Sequence, residues 1–389
     1  MFYISLDTKE ECLGYYFDGA VHQDLPEGEL FTWDYVGWAH KDNVDYLKLY
    51  CHGKTMAEVC PPFLKREWEQ LGNQRKSFEK AILGSKINVS DVCIYDIIPM
   101  WYLKELSQLK CEILEHVKKT FEKPKTYEFM LELEKLFADI RKNTLNIDTS
   151  SLKNRTAQTP VRNLLKRIKN RRIVDYNQFG TVTGRLTVTS NSFPIMNLDK
   201  SFRSILKPNN DLFVEFDYNA AELRTILSLS DQQQPEEDIH QWNIKKVFKQ
   251  DMTRDEAKRK IFSAIYNPNV EQNYYRIDKI LNKFYDSGKI VTPLGREIFC
   301  DESHALNYVV QSTTSDLVLK QVLEVNKILE GKKSNILFLI HDSFVVDLSH
   351  EDRYLLPEIK NVFSKNQLGD YLVNVKAGRD FGSLRRVDI

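Results

Sequence analysis

Residues 212–216, Leu-Phe-Val-Glu-Phe, form a short apolar run that ends in a carboxylate, Asp217. A helix-like segment follows, with Leu223, Ile226 and Leu227 at helical spacing. The pattern predicts a buried strand with Asp217 at its end, where a carboxylate is costly unless it is paired or binds a cation. A second run, Ile336-Leu337-Phe338-Leu339-Ile340, ends in His341-Asp342-Ser343, and Phe344-Val345-Val346 resumes the apolar pattern. That reads as a tight hairpin with a carboxylate at its tip. Either aspartate alone is equally a strand-end cap or a turn residue. Two of them on adjacent strand ends can hold two divalent cations. Cations about 3.5–4 Å apart clamp the attacking and leaving oxygens of an in-line phosphoryl transfer.

Charge distribution points the same way. The chain of 389 residues, long enough for two or three domains, has zero formal net charge. Local clustering matters more. Lys153 to Lys207 holds twelve Lys and Arg against two acids, Asp175 and Asp199. Lys245 to Lys260 holds seven basic and three acidic residues. Each block alone can be a solvated basic face; flanking Asp217, they favour a polyanionic partner. The six cysteines, at 12, 51, 60, 93, 111 and 300, show no CxxC spacing. Neither a zinc site nor a disulfide framework is indicated, and free thiols suit a reducing, cytoplasmic compartment. Met1 to Glu11 lacks the charged start and apolar core of a signal peptide, and no apolar run is long enough for a membrane span.

In chain order, residues 1–115 carry the least information. Phe2-Tyr3-Ile4-Ser5-Leu6 reads as a strand, Ile94-Tyr95-Asp96-Ile97-Ile98 is another apolar segment, and 98–119 reads as helix. Residues 126–143 read as an amphipathic helix, capped by Thr126, with a stripe of Phe129, Leu133, Leu136, Phe137 and Ile140. Residues 161–172 read as a strongly basic helix that grips phosphates while packing on a domain. Phe179 to Thr187 sets two glycines and several hydroxyls around Arg185, which suits backbone lying close to a sugar-phosphate chain, or an ordinary hairpin. Thr253 with Glu256 makes a capping box. Behind it Arg254, Lys258, Phe262 and Tyr266 recur every four residues on one helical stripe. Two cations followed by two aromatics match a nucleoside triphosphate, or simply an amphipathic helix with a basic end. Residues 306–330 predict a long helix ended by Gly331, with Asn307 and Gln311 one turn apart.

These residues together resemble the family A DNA polymerases, the group that includes bacterial DNA polymerase I, over about residues 176 to 389. Asp217-Tyr218-Asn219-Ala220-Ala221-Glu222-Leu223-Arg224 is similar to the family's motif A. Arg254, Lys258, Phe262 and Tyr266 have the spacing of motif B, and His341-Asp342 is similar to motif C. Thr183-Gly184-Arg185 resembles a primer-template contact, and Asp238-Ile239-His240 fits its place between motifs A and B. The resemblance implies an α+β fold: a right-hand polymerase with an antiparallel palm sheet, helical fingers and a helical thumb, plus a small N-terminal α/β domain. The implied division is an N-terminal domain at 1–115, an abbreviated thumb at 116–175, the first part of the palm at 176–235, short fingers at 236–295 and the rest of the palm at 296–389.

It also implies roles. Asp217, Asp342 and the Tyr218 backbone would hold two Mg²⁺ ions, with Mn²⁺ as the other candidate. Arg254, Lys258 and His240 would meet the triphosphate, and Phe262 and Tyr266 would shape the nascent base pair. Glu222 would be the steric gate against a ribose 2′ hydroxyl. Arg185, Asn307, Gln311 and His341 would touch primer-template DNA. The implied partners are that DNA and deoxynucleoside triphosphates, with a processivity or replisome partner for so short a thumb.

There are departures. Ser343 stands where motif C usually has glutamate, Ser263 and Asn267 replace glycines, and the fingers are short. Asp7-Thr8-Lys9-Glu10 only faintly resembles the first motif of a 3′–5′ exonuclease. Residues 1–115 are thus either a reduced exonuclease-like domain or an accessory module, and no proofreading is expected. The expected function is a compact DNA polymerase of phage or plasmid type, acting in the cytoplasm of its cell or host. The alternatives are a polymerase using RNA template or ribonucleotides, and a catalytically weak scaffold for primed DNA.

Overall fold

The fold was analysed in a computed structural model that describes residues 1–6, 14–37, 41–87, 97–266 and 275–389, without the side chain of Tyr266. Asp7 to Glu10, most of the apolar segment at 94–98, and Asn267 lie outside the described residues. The chain divides into two compact units, Met1–Lys135 and Leu136–Ile389.

The first unit holds a three-stranded antiparallel sheet of Ile4–Ser5, Tyr15–Phe17 and Ala20–His22, and a parallel pair, Leu30–Thr32 with Val44–Tyr46. Two long helices follow, Lys65–Gly84 and Met100–Thr120. The second of them runs through the domain boundary drawn at residue 115. It matches the helix expected at 98–119, and its buried side includes Leu109, Ile113, Leu114 and Val117.

The second unit begins within the helix Tyr127–Lys142, where Leu136, Phe137 and Ile140 are buried as expected. Helix α1, Thr159–Ile168, starts two residues before the expected basic helix and stops four residues short of its end. Pro160 in the first turn fixes the start, since its missing N–H is not needed there. Ile168 is the last buried residue of the stripe Val161, Leu164, Ile168, so beyond it nothing is left to bury. Strands β1, Tyr176–Asn177, and β2, Thr187–Val188, pair antiparallel and hold the Phe179–Leu186 loop between them.

The central sheet uses strands β3, Leu212–Tyr218; β4, Asn335–Ile340; β5, Ser343–Leu348; β6, Val373–Gly378; and β7, Arg385–Arg386. Its order is β4–β5–β3–β6–β7, and every neighbouring pair is antiparallel. The two apolar runs of the sequence are β3 and β4. Alternation gives β3 two characters. Phe216 and Tyr218 point to the apolar side, where Phe216 stacks on Phe344 at 5.0 Å and Tyr218 on Phe363 at 4.1 Å. Glu215 and Asp217 point to the other side.

Helix α2, Ala221–Leu229, leaves β3 directly, with Leu223, Ile226 and Leu227 buried. Next come the short helix α3, Ile239–Asn243, and helix α4, Arg254–Tyr266. The capping box at α4 forms as expected: Thr253 N donates to Glu256 Oε2 at 2.8 Å, and Glu256 N donates to Thr253 Oγ1 at 3.3 Å. Helix α5, Glu302–Leu329, starts four residues before the expected residue 306. Its cap is Asp301, whose carboxylate accepts the His304 N–H. One core joins these helices: Leu223, Ile226 and Leu227 of α2, Ile261 and Ile265 of α4, and Val309 and Val310 of α5 are buried together. Among the described residues, no helix is long and apolar enough to cross a membrane.

Candidate active site

The strand ladder brings the two aspartates together. Asp217 on β3 pairs in register with Ser343 on β5, the residue after Asp342. The Tyr218 N–H reaches the Asp342 carbonyl at 3.4 Å, closing the β3 end onto the β4–β5 turn. That turn is His341-Asp342, with His341 in the left-handed conformation (φ 52°), which His tolerates better than most residues. Burial, then the neighbouring Asp342, pushes the Asp217 carboxyl up to about 7. Burial also raises Asp342, against the pull of His341, Arg185 and Lys258. Two half-buried, adjacent carboxylates whose charge burial disfavours suit divalent cations, and an all-oxygen donor set suits Mg²⁺ or Mn²⁺. Among the described residues no group of three or more Asp, Glu, His or Cys side chains forms a larger metal cluster. Ser343 turns its hydroxyl back to Ile340 O at 3.0 Å.

Both aspartates line a pocket of about 560 Å³ in the second unit. Arg254, Lys258 and Phe262 of α4 line it too, so the stripe read from the sequence faces the carboxylates. Ala257, Ile261 and Ile265 hold the opposite side of α4 in the core. The Tyr266 side chain lies outside the described residues. His240 lines the pocket and is 2% exposed. Burial, and then Arg254, depresses its pKa to about 4, so the ring is neutral near pH 7.

Arg185 and Glu222 line the pocket as an ion pair, Nη2 to Oε1. Burial raises the Glu222 carboxyl while Arg185 draws it down. The loop that carries Arg185 is fixed to α5. Ser315 Oγ donates to Gly184 O at 2.9 Å, and Thr183 Oγ1 approaches Gln311 Oε1 at 3.5 Å. Gly184 needs its left-handed φ of 74°, and a Cβ there would meet the Arg296 guanidinium at 2.5 Å. Arg296 itself is held by two bonds to the buried Asp316, at 2.9 and 2.7 Å. Gln311 and His341 line the pocket. Asn307 stands behind Gln311, accepting its Nε2–H at 2.7 Å.

Sequence reasoning missed several lining residues: Lys200, Arg203, Glu215, Asn374 and Lys376. Glu215 and Lys376 are register partners on β3 and β6 and make an ion pair of 2.6 Å. Period-two spacing from Asp217 was the one signal for Glu215. Nothing local marked Lys376, because its position follows from a pairing 161 residues long.

Comparison with known proteins bears on the fold and the family. The chain is similar in fold to the POL domain of Pol1 from M. smegmatis, solved in complex with DNA primer-template and dNTP, with a TM-score of 0.60 and 12% identity. The similarity covers 72% of this chain and 76% of that one. No curated protein sequence matches the chain. The family model of DNA polymerase family A matches residues 74–273. That span begins well before residue 176, where the sequence motifs start, and includes Asp217 and the Arg254–Phe262 stripe but not His341-Asp342. On that match, over half of the chain, this protein belongs to DNA polymerase family A, a family of DNA-directed DNA polymerases.

Proposed function

We propose that this chain is a template-directed DNA polymerase that extends a primer 3′ end with deoxynucleoside triphosphates. The observation that carries the reading is one pocket lined by a carboxylate pair on one side and a cation–aromatic helix stripe on the other. The fold neighbour's complex with primer-template and dNTP supports the same partners. The reaction is attack of the primer 3′ oxygen on the α-phosphorus, with the bond to pyrophosphate breaking and the hydroxyl proton leaving to solvent. Asp217, Asp342 and the Tyr218 backbone would hold two Mg²⁺ ions, which would supply the activation of that oxygen and the neutralisation of the phosphate charge.

The chain's own residues do the rest. Arg254 and Lys258 hold the triphosphate, with the neutral His240 as a hydrogen-bonding neighbour. Phe262, and Tyr266 after it on the stripe, pack against the nascent base pair. Glu222, held by Arg185, fills the space that a ribose 2′ hydroxyl would need. Arg185, Gln311 and His341 lie on the primer-template side, with Asn307 bracing Gln311. In this reading the β3–β7 sheet is the palm, α4 and its neighbours are the fingers, and the basic helix α1 belongs to the thumb. Residues 1–115 act as a reduced exonuclease-like or accessory module, without proofreading.

Primer extension on a labelled DNA hairpin with Mg²⁺ tests the reading, with Asp342→Ala beside the unmodified protein. Deoxynucleotide addition by the unmodified protein alone is expected. Addition of ribonucleotides in preference would make it a ribonucleotide polymerase. DNA binding without any extension would make it a scaffold.

A further inference from the structure

Asp238 does not itself line the pocket, yet it bonds to three residues that do: Arg254, Asn219 and His240. Its Oδ2 accepts from Arg254 Nη2 at 2.9 Å and Nε at 3.2 Å, and from Asn219 Nδ2 at 2.7 Å. Its Oδ1 accepts the backbone N–H of His240 at 3.0 Å and of Gln241 at 3.1 Å, which fixes where the His240 ring begins. Burial works against the charge, but the bonds from Arg254 and Asn219 win and hold the carboxyl at about 2. The carboxylate therefore stays ionised at any working pH.

The support behind it is buried and densely hydrogen-bonded. Asn219, two residues after Asp217, is 3% exposed. Its Oδ1 accepts from Ile239 N at 2.9 Å and from Arg224 Nη2 at 3.2 Å. Arg224 is wholly buried and also donates to the carbonyls of Asn219, Pro235 and Glu237 at 2.9, 2.9 and 3.0 Å. An arginine buried this way is costly unless its donors are met, and here they tie the strand end to the 235–239 segment. The line Asp217–Asn219–Asp238–Arg254 thus joins the carboxylate site to the start of α4.

We propose that Asp238 is a positioning residue for the incoming triphosphate. It engages the Nε–Nη2 edge of Arg254, leaving Nη1 for phosphate oxygens, and at the same time seats His240, whose buried Nδ1 has no hydrogen-bond partner among the described residues. An arginine held before the ligand arrives loses less freedom on binding it. The inference rests on the triphosphate role proposed above for Arg254. A plain loop clamp would also use Asp238 as the cap of α3, but it would not make nucleotide affinity depend on Asp238 through Arg254.

Single-nucleotide incorporation separates the two. Asp238→Asn should raise KM for the deoxynucleotide about tenfold or more while kcat changes far less, because a uniformly used binding contact is lost. Asp238→Ser keeps a capping hydroxyl and removes the charge, so it should give the same shift if Asp238→Asn folds poorly. The Kd for primer-template should not move. In an Arg254→Ala background, Asp238→Asn should add less than about twofold, the signature of two residues acting as one. If Arg254→Ala raises KM and Asp238→Asn or Asp238→Ser does not, the positioning role is wrong and the polymerase reading stands. An equal shift with and without Arg254 is the loop-clamp result and also overturns it. If Arg254→Ala itself leaves KM unchanged, the triphosphate assignment fails first and takes this inference with it.

Discussion

The carboxylate end of the pocket and its arginine end are built on opposite electrostatic plans. At the tip of the sheet, burial raises both Asp217 and Asp342, Asp342 raises Asp217 further, and a cation on the neighbouring strand, Lys376, is committed to Glu215 at 2.6 Å. The backbone ladder forces the two charges together. At the start of α4 the two charges that meet are matched: Arg254 has Asp238, and Asp238 also has Asn219 and two backbone N–H groups. The first end is held in a state that a cation relieves. The second is already satisfied and needs only to keep its geometry. Charge removal should therefore act differently at the two ends, in stability as well as in activity.

The largest effect belongs to the strained end. Asp342→Ala should lower primer extension about a thousandfold or more, since phosphate charge neutralisation dominates such reactions. The same change should not destabilise the metal-free protein, because it removes a buried charge facing another. Mg²⁺ should raise the melting temperature of the unmodified protein and not that of the variant. A variant that melts lower with no loss of the Mg²⁺ response would break the contrast. At the satisfied end, Arg254→Ala should raise KM for the nucleotide by about ten- to a hundredfold, the scale of one charge-assisted fork. It should also destabilise the fold slightly by leaving Asp238 short of a partner. An unchanged KM together with normal melting would erase the distinction from that side.

The contrast extends to pH. Asp217 has its carboxyl raised to about 7 in the folded protein, against about 4 for an ordinary aspartate. Between those values the folded state binds a proton that the unfolded state does not. Its contribution is therefore fully present below about pH 4 and is lost as pH rises towards about 7, so metal-free stability should fall across that window. The titration belongs to the Asp217–Asp342 pair rather than to one residue. Urea midpoints in chelator, followed from pH 5 to 8, should show the fall, and Asp217→Asn should flatten it. Asp238 has the opposite shift, down to about 2, so its contribution is constant over the same range. A fall that survives in Asp217→Asn would assign the trend to other groups.

How much of this was legible depends on the range of the interaction. The aspartates, the capping box at Thr253 and the stripe Arg254, Lys258, Phe262 could be read because strand ends and helix turns are local and periodic. The pairing of β3 with both β5 and β6 could not. It alone sets Glu215 opposite Lys376 and Asp217 opposite Asn374. Asp301 was missed as the cap of α5 because the periodic apolar signal begins later, at Leu306, while a polar cap carries no period. The hold on Arg185 was the least visible of all. It depends on Gly184, Arg296, Ser315 and Asp316, from three separate stretches of chain, each ordinary by itself.

That hold gives the smallest and most specific prediction. Gly184→Ala removes no charge and no hydrogen-bonding group. Its Cβ would stand 2.5 Å from Arg296 Nη2 and 2.6 Å from Cζ, and its φ of 74° disfavours any Cβ. A left-handed alanine costs about 1–2 kcal/mol, and moving Arg296 strains its two bonds to Asp316 as well. The displacement should pass along the loop to Arg185, one residue on, and loosen its pairing with Glu222. Primer-template affinity should fall a few-fold, while the response of melting temperature to Mg²⁺ stays largely intact, because the strand ladder, not this loop, sets the positions of Asp217 and Asp342. Equal loss of Mg²⁺ response and DNA affinity would mean that the two ends are one mechanical unit, and that the separation between a strained end and a satisfied end describes only their charges.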